Sequence, residues 1–211
     1  NIDLVVSVVD DDRAARDSVC AVIESAGYRT AAYESGETFL SRSDLTHPGC
    51  LVIDYRLPGL SGLEIQDKLR RDRVRIPVIL ISGFADVPIA VKAMQQGAVT
   101  LLQKPYSQED LLNAVTRAFE LDEQRRREEQ LAEDARIRLE GLNEKEREVL
   151  RQMLEGKSNR TVAQSLNIGL RTVERRRHDI FSKTKVDSEV KLAELVKLAS
   201  FGRRVSSVNG D

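Results

Sequence analysis

The chain has 211 residues, of which 32% are charged and 4% aromatic, with no Trp and a formal net charge of −1. That length holds one large domain or two small ones. No run approaches the roughly 18 apolar residues of a membrane-spanning helix and no N-terminal signal pattern stands out, so a cytoplasmic protein without a membrane partner is expected. The two Cys and two His are scattered and lack zinc spacing. Cys20 and Cys50 lie in apolar patterns and read as reduced, buried thiols. Residues 1–120 carry 13 basic and 17 acidic side chains, net −4, whereas residues 121–211 carry 20 and 17, net +3. Within 157–185, 8 basic residues stand against only Glu174 and Asp179. That local excess points to a polyanion partner for the C-terminal part.

In chain order, β-rich runs near 4–9, 28–33, 50–53, 77–81 and 98–102 alternate with amphipathic helical patterns near 13–26, 35–42, 61–71, 87–96 and 107–120. Such alternation predicts a parallel sheet with helices on both faces, and near-continuous apolar strands suit burial on both sides. Gly27 and Gly97 stand where helix C-caps are expected, Pro88 falls in a first turn, and Asp12 reads as the cap of the first helix.

Residues 122–130 hold no apolar side chain. They are rich in Glu, Gln and Arg and lack Gly and Pro, which favours helix, with Asp122/Arg126, Glu123/Arg127 and Arg125/Glu129 as opposite-charge i,i+4 pairs. Leu131, Ala135 and Leu139 then recur every four residues, with Leu142 beyond. A solvated helical spacer and a short dimeric coiled coil both fit. Residues 142–201 show no strand signal and predict helices near 144–155, 159–166, 170–184 and 188–200. Asn143 and Glu146 form a capping-box pattern, Gly156 ends the first of these helices, and Asn167-Ile168-Gly169-Leu170 makes a tight connection between the second and third. Two helices joined by a short Gly-containing turn, the second strongly basic, form a helix-turn-helix pattern. The polar tail 202–211 is expected to be flexible.

Chemistry concentrates at strand ends. Asp10-Asp11 close the first apolar run, Asp54 the third and Ser82 the fourth, and Lys104 follows the fifth. In an open parallel sheet, ligands bind outside the carboxyl ends of the strands. Three carboxylates, a hydroxyl and an ammonium converging there suit a hard divalent cation and a phosphoryl group. Neighbouring carboxylates raise each other's proton affinity unless a cation offsets them, and Mg²⁺ takes a few carboxylates with waters and phosphate oxygens. Asp10, Asp11 and Asp54 supply the carboxylates. Asp54 is the candidate nucleophile, since a carboxylate can form an acyl phosphate. Lys104 suits stabilisation of the transferred charge, and Ser82 can bond a phosphoryl oxygen.

Val9-Asp10-Asp11-Asp12, the segment Asp54-Tyr55-Arg56-Leu57-Pro58-Gly59-Leu60-Ser61-Gly62, Ile81-Ser82-Gly83 and Lys104-Pro105 resemble the receiver domain of two-component response regulators over about residues 4–120. The resemblance implies a flavodoxin-like (βα)5 fold with parallel strand order 2-1-3-4-5. It implies that Asp54 takes a phosphoryl group from a sensor histidine kinase. It further implies Mg²⁺ held by Asp11, Asp54 and the backbone carbonyl of Arg56, with Asp10 acting largely through water, a phosphate contact from Lys104, and a cis Lys104-Pro105 bond. One departure is Leu101, which stands where receivers usually carry an aromatic switch residue.

The segment 141–150, with Gly156-Lys157-Ser158-Asn159 and Thr172-Val173-Glu174, resembles the LuxR-type helix-turn-helix of the NarL/FixJ subfamily over about 141–200. Asn143-Glu144 replaces the usual Thr-Pro, and Arg176 replaces a common His. As a helix, 170–184 buries Val173, Ile180 and Phe181, with Arg176 near the edge, and presents Glu174, Arg175, Arg177 and His178 on or beside its outward face. Arg pairs with guanine and Glu accepts from cytosine. By family position, Glu174, Arg175 and His178 face base edges, while Lys157, Asn159, Arg171, Thr172 and Arg177 contact the backbone. The last helix is the dimer contact in this family.

These readings combine into a bacterial response regulator: receiver 1–120, helical linker 121–141, all-α four-helix LuxR-type DNA-binding domain 142–201, and tail 202–211. Phosphorylation at Asp54 then favours promoter binding as a homodimer, with RNA polymerase a further partner, and the chain is no enzyme beyond slow loss of its own phosphoryl group. Two alternatives stand beside it. One is a DNA-binding regulator whose receiver works without phosphorylation, which Leu101 suggests. The other is a haloacid-dehalogenase-type phosphatase, which Asp10 and Asp12 suggest but Arg13-Ala14 and the lack of room for a cap domain disfavour.

Overall fold

In the computed structural model, residues 4–43, 49–83 and 87–207 are described, the last seven by their backbone alone. The five apolar runs form strands β1 (Val5–Val9), β2 (Arg29–Tyr33), β3 (Gly49–Asp54), β4 (Val78–Ser82) and β5 (Thr100–Gln103), interleaved with helices α1 (Arg13–Ser25), α2 (Gly36–Arg42), α3 (Gly62–Arg71), α4 (Val87–Gln95) and α5 (Gln108–Glu140). All neighbouring strands pair in parallel, in the order β2-β1-β3-β4-β5. Side chains alternate across a strand, and the core divides accordingly. Val6, Val8, Cys50, Val52, Ile79 and Ile81 pack with Ile23 of α1 and Leu111, Val115 and Phe119 of α5. Leu51, Ile53 and Leu80 pack with Phe39 of α2, Leu63, Ile65 and Leu69 of α3 and Ala93 of α4. Burial on both faces explains why β3 and β4 are apolar without interruption.

The chain divides into two compact units, 1–125 and 126–211, with the division inside α5. In the second unit, α6 (Glu144–Leu154), α7 (Asn159–Ser165), α8 (Leu170–Thr184) and α9 (Glu189–Ser207) follow. They enclose Leu142, Val149, Leu150, Met153, Val162, Val173, Ile180 and Leu192. No helix among the described residues is long and apolar enough to cross a membrane.

Three local features differ from the sequence expectation. The fifth receiver helix and the spacer are one element, because nothing between 121 and 140 breaks a helix. Asp122 is not solvated: it is 2% exposed and pairs with Arg125, and it lies near Cys50, whose thiol is pushed well up by burial and then by Asp122. The last helix, expected near 188–200, runs further, with α9 continuing to Ser207. Gly202 costs about 1 kcal/mol in a helix but keeps its N–H, unlike Pro. Residues 208–211 lie outside the described residues. Of the spacer repeat, Leu131 is 55% exposed, Ala135 is buried, and Leu139 packs half-buried against the core of the second unit.

Gly62 opens α3 directly under the end of β3. A Cβ there would stand 2.6 Å from the Asp54 carbonyl oxygen and 2.9 Å from Leu80 Cδ2. Gly62→Ala is therefore expected to destabilise the first unit by about 1–3 kcal/mol through overpacking, read as a lower urea midpoint at unchanged m-value.

Candidate phosphoryl site and nucleic-acid interface

The strand order sets the first site. β1 and β3 are neighbours, with Val9 opposite Ile53, so Asp10 and Asp54 emerge side by side at the carboxyl edge. Both are nearly excluded from water, at 5% and 8% exposure. Lys104, following β5, donates from Nζ to Asp54 Oδ2 at 2.5 Å and to Asp10 Oδ2 at 3.4 Å. The other carboxylate oxygens take backbone donors: Asp54 Oδ1 accepts from Arg56 N at 2.7 Å and Asp10 Oδ1 from Asp12 N at 2.9 Å. Ser82 is fully buried at the end of β4, and its carbonyl accepts from Lys104 N at 2.8 Å. The Lys104-Pro105 bond is cis.

The electrostatics follow. Burial pushes the Asp10 carboxyl above its ordinary value, against the opposing pull of the Asp12 N–H and Lys104. Burial alone would lower Lys104, but the hydrogen bond and charge of Asp54, then Asp10, hold it above the usual range. Asp11 is exposed at the rim. Asp12 caps α1, accepting from Ala14 N and Ala15 N. Among the described residues, no three carboxylate, imidazole or thiol side chains stand together as a metal cage; Asp11 is not gathered with Asp10 and Asp54. Leu101 packs with the α2–α4 face of the core.

In the second unit, Val173 and Ile180 are the buried line of α8, with Phe181 half-buried. Arg171, Glu174, Arg175 and His178 are exposed, whereas Thr172 is half-buried. Lys157 bonds Gln152 Oε1 at 2.7 Å and pairs with Glu155 at 2.6 Å, and Asn159, half-buried, opens α7. Arg177 takes another course: its side chain is only 19% exposed and pairs with Glu189 of α9. Glu146, 4% exposed, closes the capping box of α6 with Asn143 and accepts Lys183 Nζ on both oxygens at 2.8 Å.

Residues 6–116 match the family described as "Response regulator receiver domain", and residues 140–196 match "Bacterial regulatory proteins, luxR family". The chain is 37% identical to the response regulator protein TmoT of Ectopseudomonas mendocina, over 87% of this chain and 84% of that protein. It is 34% identical to the transcriptional regulatory protein FixJ of Bradyrhizobium diazoefficiens, over 91% and 92%. The solved structure of the response regulator StyR superposes with a TM-score of 0.83 at 33% identity, covering 92% of this chain and 98% of that one. This chain belongs to the response regulator family. It is a phosphorylation-dependent, DNA-binding transcriptional regulator that joins a receiver to a LuxR-type helix-turn-helix.

The regulator's acidic site fits Mg²⁺ by its donors: oxygen ligands only, with two desolvated carboxylates against one ammonium and a third carboxylate at the rim. Sequence reasoning missed three neighbours of these sites. Arg16 donates to the Asp10 carbonyl at 2.6 Å, with no signal beyond its place one turn into α1. Glu146 and Glu189 anchor basic residues of α8, a pairing that only the fold reveals.

Glu146 gives a pH test. Burial alone would raise its carboxyl, but Lys183, the Asn143 N–H and Arg176 together hold it below the ordinary 4.5. A lowered folded value adds stability above the unfolded value that is lost as pH falls through the folded one. Glu146→Gln is expected to cost about 1–3 kcal/mol at neutral pH. In urea titrations the gap to wild type should close as pH drops below 4.5; a gap independent of pH contradicts the pairing.

Proposed function

We propose that Asp54 is the phosphoacceptor of this regulator and that its phosphorylation by a sensor histidine kinase promotes dimerisation and promoter binding through α8. The observation that carries this reading is the short contact of Lys104 with Asp54, next to a second buried carboxylate, at the sheet edge where ligands bind. An Asp54 carboxylate oxygen attacks the phosphorus of the phosphohistidine; the new O–P bond forms as the N–P bond breaks. Lys104 moves its ammonium from Asp54 Oδ2 onto a phosphoryl oxygen, where charge develops. The Ser82 hydroxyl bonds another. Asp10, Asp11, Asp54 and the carbonyl of Arg56 would hold Mg²⁺, which when bound neutralises phosphoryl charge. Asp11, exposed at the rim, would have to turn inward to join them. Slow hydrolysis of the acyl phosphate resets the switch.

Phosphorylation shifts a pre-existing equilibrium. Two copies then occupy two half-sites, so weak single contacts add into a tight one. Val190 and Leu198 of α9, 70% and 40% exposed, supply apolar surface for pairing. Glu174, Arg175 and His178 read base edges, and Lys157, Asn159, Arg171 and Thr172 lie against the backbone. The working division is receiver 1–120, linker 121–141 and DNA-binding domain 142–201, acting in the cytoplasm, with RNA polymerase as a further partner on the promoter.

Incubation with Mg²⁺ and a small phosphodonor should add one phosphoryl group by intact mass, and Asp54→Asn should remain unlabelled. Equal labelling of that variant would remove Asp54 from its role. Labelling without a change in dimerisation or DNA affinity would favour a receiver that works without phosphorylation. Arg175→Ala should relax preference at one base position by about 1–3 kcal/mol in a binding selection; uniform weakening across sequences would make Arg175 a backbone contact.

A further inference from the structure

The basic residues of α8 do not form one patch. An α-helix turns about 100° per residue, so each side chain has a fixed bearing from the buried line through Val173 and Ile180. Arg176 and Lys183 lie about 60° and 80° to one side of that line. There Lys183 donates to both oxygens of Glu146, and Arg176 is close enough to lower the Glu146 carboxyl. Arg177 lies about 40° to the other side, where it pairs with Glu189 in the first turn of α9. Opposite the buried line Arg171, Arg175 and His178 stand within about 60° of one another, and Lys185 follows directly past the helix end. All four are exposed, and among the described residues Arg171, Arg175 and Lys185 form no ion pair. Lys185 sits past the helix end in the left-handed conformation, with its N–H on the Phe181 carbonyl.

From this sorting we infer that Arg177 is a positioning residue, which with Glu189 braces the recognition helix against α9, and that Lys185 is the phosphate contact at the far end of the outward stripe. The inference rests on the proposed reading of α8 as the DNA-facing helix and deepens it. Glu146 braces one flank through Lys183 and Glu189 braces the other through Arg177, so the helix meets its groove at a fixed tilt. Arg171 and Lys185 are 14 positions apart, about 21 Å along a helix, against a major groove about 12 Å wide. Their side chains therefore reach the two sugar–phosphate backbones that flank the groove, while Arg175 and His178 lie between them over the bases.

The test uses the full-length chain and a short duplex selected by the wild type from a randomised pool, with affinity measured across a salt series. Each lost phosphate contact flattens the slope of log K against log salt by about 0.9. Lys185→Ala and Arg171→Ala should each show that flattening. Arg177→Met should lose about twofold to fivefold in affinity, the range of a partly exposed ion pair, with the slope unchanged. The swapped pair Arg177→Glu with Glu189→Arg should regain most of that loss, which also guards against simple misfolding of the single variant. Flattening by about 0.9 in Arg177→Met, an unchanged slope in Lys185→Ala, or no regain in the swap would overturn the inference. If Arg175→Ala and Arg171→Ala also leave affinity and slope untouched, the proposed role of α8 itself fails, which is a different result.

Discussion

Two carboxylates withdrawn from water at the same edge of a sheet repel one another and favour protonation unless a cation stands within reach. Asp10 and Asp54 are in that position because β1 and β3 are adjacent strands, and Lys104 relieves it from the end of β5. The long Lys side chain spans the gap, and a backbone bond from Lys104 N to the Ser82 carbonyl fixes its root against β4. The relief is partial. One ammonium against two carboxylates leaves negative charge in a desolvated place, and the Asp10 carboxyl stays above its ordinary value. A divalent cation and a dianionic phosphoryl group together would complete the charge balance, and for this reason the site is suited to switching rather than to holding one fixed state.

The second unit handles charge by the same logic with the signs reversed. An excess of basic residues on one helix is unfavourable unless some are paired. α8 pairs those on its flanks with acids of α6 and α9 and leaves those on its outward line exposed. Buried and half-buried pairs hold the helix, and the unpaired remainder supplies an electrostatic face for a polyanion. A net-charge count alone cannot separate these roles, since it weighs Arg177 and Arg175 equally.

The fold was legible wherever the hydrophobic period was strong. The five apolar runs became the five strands, and the Asp12 cap and the Asn143–Glu146 box stand where residue spacing placed them. Legibility ended where an outcome depended on contacts distant in sequence. The stretch 122–130 looked fully polar, yet Asp122 is buried with Arg125, because side-chain polarity says nothing of what packs over a helix. The end of α9 was set too early because a polar, Gly-containing tail has no strong stop signal. Of the candidate site, the motif residues at strand ends were readable, since topology alone gathers them. The exposed position of Asp11, the Arg16 contact and the partners of Arg177 and Lys183 were not.

The proposed switch requires Lys104 and a divalent cation to compete for the same two carboxylates. Calorimetric titration of Mg²⁺ into the wild type and into Lys104→Met tests it most directly. Removal of the competing ammonium should tighten Mg²⁺ binding, and adding Asp54→Asn to that variant should weaken it again. Unchanged or weaker binding in Lys104→Met would contradict the shared site and the switch built on it.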